Sequence, residues 1–278
     1  MHYSLLAVLG AVRALADSAQ IPVANSPAPA YDAAYASAPA AAGSFECVHP
    51  AYKAHLVSRS PLVIYLEDFI TPAERALLLA QANASYVHSN VAVGNSSTTS
   101  AHRTSSSASL SASSVVSCIH ARALSFQDFA LSPAHLEPLQ LVRYATGQHY
   151  HYHTDWFSAA SHSGLSAGGN RASSFFGYVK VTPDVTGGGT NFPVVTPPRG
   201  DKWCRFIDCD EEWTSGTTFR PIEGNAVYWE NLVEGPDGVQ VGDHRTLHAG
   251  LPVTSGEKVG MNIWTRQAPL GDSVRQGL

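Results

Sequence analysis

The sequence predicts a mainly β protein with flanking helices, an α+β chain whose second half is an antiparallel sandwich or barrel. Three observations predict it. From Leu139 onward, short apolar or alternating runs recur at 139–145, 174–181, 217–221, 225–230, 246–251 and 258–266, with Gly, Pro, Asn and Asp between them. Helix signals fall only before residue 138. The 278 residues are 44% hydrophobic and 14% charged, apolar enough for a sizeable core and too apolar for a wholly disordered chain.

The elements follow in order. Residues 1–16 form a short apolar run ending in Ala14-Leu15-Ala16, the small-x-small pattern of a signal peptide, with Arg13 interrupting it. Residues 17–44 are Ala, Pro, Ser and Tyr with few branched aliphatics, and read as a disordered linker. Residues 45–138 are expected to be the helical N-terminal part of the folded domain. There, 61–66 is β-prone, and Thr71-Pro72-Ala73-Glu74 starts a helix that runs to about Asn83. Thr caps, Pro suits the first turn, and Glu74 sits three residues after Thr71. Residues 94–114 are Gly/Ser/Thr-rich and are expected to be a long mobile loop, and a second helix is expected at about 119–130. Residues 139–270 form the β core. The Gly/Ser-rich stretch 158–173 is expected to be a lid or a disordered insertion, with His162 exposed on it.

Charge and cysteine content narrow the classes. The net charge is −5, so no basic stripe for nucleic acid is expected. After residue 16 no apolar stretch is long enough for a membrane helix, so no membrane association is expected once the leader is cleaved. Cys204 and Cys209 lie five apart in a Trp/Asp-rich loop and are expected to pair locally, leaving Cys47 with Cys118; four reduced thiols are the alternative. The triplets Asn83-Ala84-Ser85 and Asn95-Ser96-Ser97 are N-glycosylation acceptors. Leader, cysteines and acceptors point to the endoplasmic reticulum lumen or to secretion.

Thirteen His against 17 Lys plus Arg is a reason to look for metal chemistry. The densest cluster is His149-Tyr150-His151-Tyr152-His153-Thr154-Asp155. On a regular strand alternate residues share a face, which would align His149, His151, His153 and Asp155. Two His and one carboxylate on one side of an ion leave positions open, the arrangement of non-haem Fe(II) oxygenases. A lone His-x-Asp carries little weight in so His-rich a chain. His135-Leu136-Glu137, between Pro133 and Pro138, is read as structural. Weight comes from His248, followed ten residues later by Lys258, a cation placed to hold the far carboxylate of a dicarboxylic cosubstrate.

At this point a family resemblance is plain. The blocks are Arg103-Thr104-Ser105; Tyr144 through Gly147 to Tyr150, His153 and Asp155; Gly187-Gly188-Gly189-Thr190 with Phe192 and Pro193; Gly224 through Ala226 to Trp229; and His248 through Lys258 to Trp264. In this order, over about 61–267, they resemble the catalytic domain of the prolyl 4-hydroxylase family of 2-oxoglutarate/Fe(II) dioxygenases, most closely its fungal members. The resemblance implies a double-stranded β-helix (jelly roll), Fe(II), 2-oxoglutarate, O2 and L-ascorbate. It implies His153, Asp155 and His248 as iron ligands and Lys258 as the partner of the cosubstrate's far carboxylate. Tyr144 and Thr190 are implied as its hydrogen-bonding helpers, and Tyr150, Arg103 and Trp264 as substrate contacts. Gly189 stands where the family usually has an acidic residue, and 94–114 lacks the Gly and Trp that often follow Arg-Thr-Ser.

The implied reaction hydroxylates peptidyl-proline by hydrogen abstraction and hydroxyl rebound, releasing succinate and CO2, in a monomer or homodimer. Trp264, Val259 and Ile263 are expected to shield Lys258. Phe157, Phe175, Phe176, Phe192 and Trp229 are expected to surround the site, most of them simply as core. The alternatives are hydroxylation of a small-molecule substrate or short ribosomal peptide by the same chemistry, a cupin-type metalloprotein without 2-oxoglutarate, and a non-catalytic jelly-roll binding module.

Overall fold

Helix α1 (Pro72–Ala82) begins where Thr71 caps it. The Thr71 hydroxyl accepts from the Glu74 amide at 3.2 Å, and the Glu74 carboxylate accepts from the Thr71 amide at 2.8 Å. This satisfies two of the donors that a helix start leaves unpaired. Helix α2 spans Ser114–Gln127, so it starts five residues before the expected 119. Ser113 supplies a hydroxyl to the Val116 amide at 3.4 Å, a start signal hidden in a Ser-rich run.

These observations come from a computed structural model, which describes residues 45–93, 96–99, 101–127, 130–210 and 215–271. The leader expected at 1–16 and the linker expected at 17–44 lie outside the described residues.

Among the described residues, the strands form one eight-stranded and one four-stranded antiparallel sheet, with three small two-stranded ribbons. The large sheet runs, in spatial order, Lys53–Arg59, Leu62–Glu67, Ala226–Glu230, Arg171–Val181, Glu257–Arg266, Gln140–Ala145, Ser106–Ser109 and Val87–His88. The small sheet runs Thr217–Phe219, Thr190–Phe192, His248–Gly250 and Tyr150–His153. From Gln140 the chain passes repeatedly between the two: large, small, large, small, small, large, small, large. This is the double-stranded β-helix. The predicted runs at 139–145, 174–181, 225–230 and 258–266 all become large-sheet strands. The stretch expected as a mobile loop at 94–114 is partly ordered instead: Asn90–Val93 pairs with Ser96–Thr99, and Ser106–Ser109 joins Gln140–Ala145. Ser and Thr are weak strand signals alone, and pairing to a buried neighbour overrides them.

The central strand Arg171–Val181 is covered on both faces, so its apolar run is continuous. Phe176 and Tyr178 turn toward the small sheet, into a core with Tyr65, Phe192, Phe219 and Trp229. Phe175 turns the other way, 5.6 Å from Phe69 and 5.7 Å from Phe126 of α2. Lys258, Gly260, Asn262 and Trp264 alternate with Val259, Met261 and Ile263 along their strand. Val259 and Ile263 are therefore buried on the helix-facing side and do not shield Lys258, a correction that the period of two dictates.

The two helices are tied by a buried ion pair. Arg122 donates to Glu74 at 2.9 Å and to the Phe69 carbonyl at 2.7 Å, and both partners' side chains are 1% exposed. The disulfide Cys47–Cys118 lies beside it, and Cys204–Cys209 closes the short loop, as the spacing suggested. Removing one partner leaves a buried unpaired charge. Arg122→Met should therefore cost about 3–5 kcal/mol, and the double variant with Glu74→Gln should recover part of it. Urea unfolding of the two variants checks this.

Candidate metal and cosubstrate site

His153 ends its strand directly opposite His248, and Asp155 follows two residues later. The ligand-type atoms of these three side chains all lie within 4.8 Å of one another. Asp155 Oδ1 is 3.7 Å from His153 Nε2 and 4.0 Å from His248 Nε2. The three side chains would hold one divalent ion, His153 and His248 through a ring nitrogen and Asp155 through a carboxylate oxygen.

The remaining polar atoms are all occupied, which fixes which atoms face the ion. His153 Nδ1 donates to the His151 carbonyl at 2.8 Å, and His248 Nδ1 to the Thr246 carbonyl at 2.9 Å. Each ring thus keeps an Nε2 lone pair. Asp155 Oδ2 accepts from Ser174 Oγ at 2.7 Å and from Trp264 Nε1 at 3.0 Å, which leaves Oδ1 for the ion. Burial, and next the neighbouring His248, push His153 below the ordinary imidazole range, so it is neutral. Burial opposes ionisation of Asp155, but His248, His153 and Arg171 outweigh it and hold the carboxyl below its ordinary range. Two imidazoles and one carboxylate suit a divalent first-row ion. Among the described residues the one other candidate cluster is Cys47, His49 and Cys118, whose sulfurs are bonded to each other.

The expected face-sharing along the His-rich strand is broken by a bulge. His248 pairs with His153 and Gly250 with Tyr150, so three steps on one strand face two on the other. The extra residue brings Tyr150 onto His153, ring centroids 3.6 Å apart, and turns His151 to the rim beside His102. His149 stands apart from the ligands, its carbonyl tied to Thr104.

A cavity of about 740 Å³ opens over the triad. Tyr144, Thr190, Tyr150, Arg103 and Trp264 all line it. Thr190 accepts from the Tyr178 hydroxyl at 2.8 Å. Arg103 lies 4.6 Å over the Tyr150 ring. Lys258 is fully buried just behind the inner wall, its Nζ donating to the Gly188 carbonyl and 4.8 Å from the Tyr144 ring centre. No carboxylate among the described residues pairs with it, and burial alone brings its pKa down to about 7. A buried cation of this kind calls for an anionic ligand. The absence of an acidic side chain at 189 has a steric reason: a Cβ on Gly189 would come within 2.6 Å of Thr218.

Ser174, Tyr178 and Arg171 belong to the site and were missed as candidates. Arg171 stacks 3.7 Å over the Trp264 ring and holds Glu137 at 2.7 Å. Their only sequence signal was membership of one buried strand. His162 is also a correction: it is half-buried against Phe157 and lines the cavity rather than standing in solvent. Of the expected aromatics, Phe192 and Trp229 touch His248, at 5.3 and 4.7 Å between ring centres, whereas Phe175 is core on the far face of the sheet. Ser174→Ala frees Asp155 Oδ2 from one of its two donors and is expected to weaken metal affinity about 10- to 100-fold. Titration with Co(II), followed by its visible absorption, measures this.

The comparisons agree with the geometry. A family model described as the 2OG-Fe(II) oxygenase superfamily matches residues 139–266. Prolyl 4-hydroxylase 1 of Arabidopsis thaliana is 32% identical over 222 residues, covering 77% of this chain and 72% of the relative. Probable prolyl 4-hydroxylase 4 of the same plant is 32% identical over 221 residues, covering 76% and 70%. The transmembrane prolyl 4-hydroxylase of Mus musculus is 32% identical over 163 residues, and there the match spans 51% of this chain but 31% of the relative. In fold, the chain is similar to the 2OG complex of the viral collagen prolyl hydroxylase of Paramecium Bursaria Chlorella virus-1, with TM-score 0.51, 22% identity, and coverage of 73% and 95%. Fold and triad together define an Fe(II)- and 2-oxoglutarate-dependent dioxygenase. Within that class, the chain belongs to the prolyl 4-hydroxylase family.

Proposed function

We propose that this protein hydroxylates prolyl residues of a peptide or protein substrate. The observation that carries the proposal is the His153/Asp155/His248 triad set beside the buried Lys258. When bound, Fe(II) and 2-oxoglutarate supply the oxidising chemistry with O2: the cosubstrate leaves as succinate and CO2, and one oxygen atom goes to the substrate carbon. His153 and His248 offer Nε2, and Asp155 offers Oδ1. Ser174 and Trp264 keep that carboxylate from rotating. Lys258 balances the far carboxylate of 2-oxoglutarate, with Tyr144 and Thr190 as polar neighbours on the same wall. Phe192 and Trp229 exclude water behind His248. No general acid or base is needed. Arg103 and Tyr150, which line the cavity with the guanidinium over the ring, are placed to meet the peptide.

The same reading has residues 1–16 directing the chain into the secretory pathway, where it acts as a monomer or homodimer. Two disulfides support an oxidising compartment. The test is direct. Full-length protein with Fe(II), 2-oxoglutarate and ascorbate is given a Pro-rich peptide, and succinate and peptide mass are followed together. Peptide-dependent succinate with one added oxygen on proline supports the proposal. Succinate at the uncoupled level with unchanged peptide overturns it.

A further inference from the structure

Four of the chain's 17 prolines fall within residues 17–44: Pro22, Pro27, Pro29 and Pro39. Three of them have small neighbours on both sides. Pro27 lies between Ser26 and Ala28, Pro29 between Ala28 and Ala30, and Pro39 between Ala38 and Ala40. Pro22 differs, since the branched side chains of Ile21 and Val23 flank it. Small neighbours make the pyrrolidine ring the bulkiest group of the stretch. The ring can then enter a pocket before any other side chain meets the walls. A protein that hydroxylates prolyl residues thus carries three prolines of suitable surroundings in its own sequence.

The fold decides which molecule can present them. Cys47 is bonded to Cys118 of α2. Tyr52 packs edge-on against Phe69 and against Phe126 of α2, with ring centres 5.3 and 6.3 Å apart. Cys47 and Tyr52 are therefore fastened on the helix side of the large sheet, the side to which Phe175 turns. The cavity over the triad opens on the other side of that sheet, where Phe176, Asn262 and Trp264 line it. Within one molecule the large sheet stands between the Cys47 anchor and the triad. A second molecule meets no such barrier.

We infer that the protein is its own substrate: the cavity of one molecule hydroxylates Pro27, Pro29 and Pro39 of a second. The inference rests on the prolyl-hydroxylase reading above and names a substrate for it. The step balances with the reactants of that reading. A proline C–H bond is oxidised to C–OH, and 2-oxoglutarate is oxidised as its bond to the departing CO2 breaks. Together they reduce one O2, with one oxygen atom entering the proline ring and the other entering succinate.

The test mixes two full-length proteins. His248→Ala, labelled with heavy nitrogen, lacks a metal ligand and supplies prolines without turnover. Unlabelled wild type supplies the activity, with Fe(II), 2-oxoglutarate and ascorbate under heavy-isotope O2. No Lys or Arg falls between Arg13 and Lys53, so after reduction one tryptic peptide from each molecule carries all four prolines. Its nitrogen mass names the molecule it came from. Heavy oxygen is expected on Pro27, Pro29 and Pro39 of the labelled protein, and their replacement by Ala there should abolish it. Pro22 is the internal contrast: equal oxygen on it overturns the part played by small neighbours. Oxygen confined to the unlabelled protein overturns transfer between molecules. A separate Pro-rich peptide is offered in parallel. If that peptide is hydroxylated while the segment gains nothing, the inference falls and the prolyl-hydroxylase reading stands. If neither gains oxygen, the reading falls and takes the inference with it.

Binding gives a second readout without turnover. A synthetic peptide of residues 17–44 is titrated under nitrogen onto wild type holding Fe(II) and 2-oxoglutarate. The segment contains no Trp, so tryptophan fluorescence reports the enzyme alone. Saturable binding is expected, and about 10-fold weaker binding once Pro27, Pro29 and Pro39 are Ala. Equal binding of the two peptides overturns recognition of these prolines.

Discussion

His248→Ala is expected to leave less than about one-thousandth of wild-type turnover, because the bound ion contributes several kcal/mol of barrier lowering that no other group replaces. The imidazole sits at the centre of the small sheet, 5% exposed, between Phe192 and Trp229. Its removal deletes one of three donors and opens a gap in an aromatic wall. Activity and metal content should fall together: Fe(II) with 2-oxoglutarate under nitrogen gives a weak visible charge-transfer band in wild type, and the variant should lack it. Circular dichroism should be nearly unchanged, since the strand His248–Gly250 is held by backbone pairing to both neighbours. A variant that retains the band would remove His248 from the ligand set.

Lys258→Met should raise the KM for 2-oxoglutarate by roughly 10²-fold or more, with a smaller change in kcat at saturation. Truncating one member of a buried charge pair strands the other charge, and the ligand then pays that desolvation in binding. Methionine keeps the apolar stem as far as Cε beside the Tyr144 and Phe176 rings and drops only the ammonium, so folding should survive. The wild type should also show a pH dependence that the variant lacks. Burial lowers the lysine to about 7 before the ligand arrives. The dianion binds the protonated form, so affinity is fully present below that value and declines as pH rises through it. KM for 2-oxoglutarate should therefore climb between pH 7 and 9, up to about tenfold per unit, whereas Lys258→Met stays flat. A flat wild-type profile together with an unchanged KM in Lys258→Met would show that the cation is not Lys258.

Much of this site is legible in the chain because its parts are local. His153 and Asp155 are two residues apart, and His248 and Lys258 are ten apart, so residue type and spacing alone suggest an ion and an anion in one pocket. The Thr71 cap of α1 and the short Cys204–Cys209 loop are legible for the same reason: their partners lie within a few residues. Alternation likewise marks the strands of the large sheet, where one face or both are buried.

What the sequence by itself determined, then, is the class of fold, the ligand and cation candidates, and the chemistry they suit. The tertiary structure alone decided how they are aimed. Ser174 and Trp264 reach Asp155 across 19 and 109 residues, and Arg122 reaches Glu74 across 48. The bulge at Tyr150–His153 redirects His151, and Arg266 ties the turns after Ala159 to the large sheet through the carbonyls of His162, Ala167 and Gly169. The reason is physical. A hydrogen bond or ion pair across a core depends on which strands neighbour one another, and strand order in a double-stranded β-helix is set by the packing of the whole sheet. Local residue patterns fix what a side chain can do; the sheet topology fixes which atoms it meets.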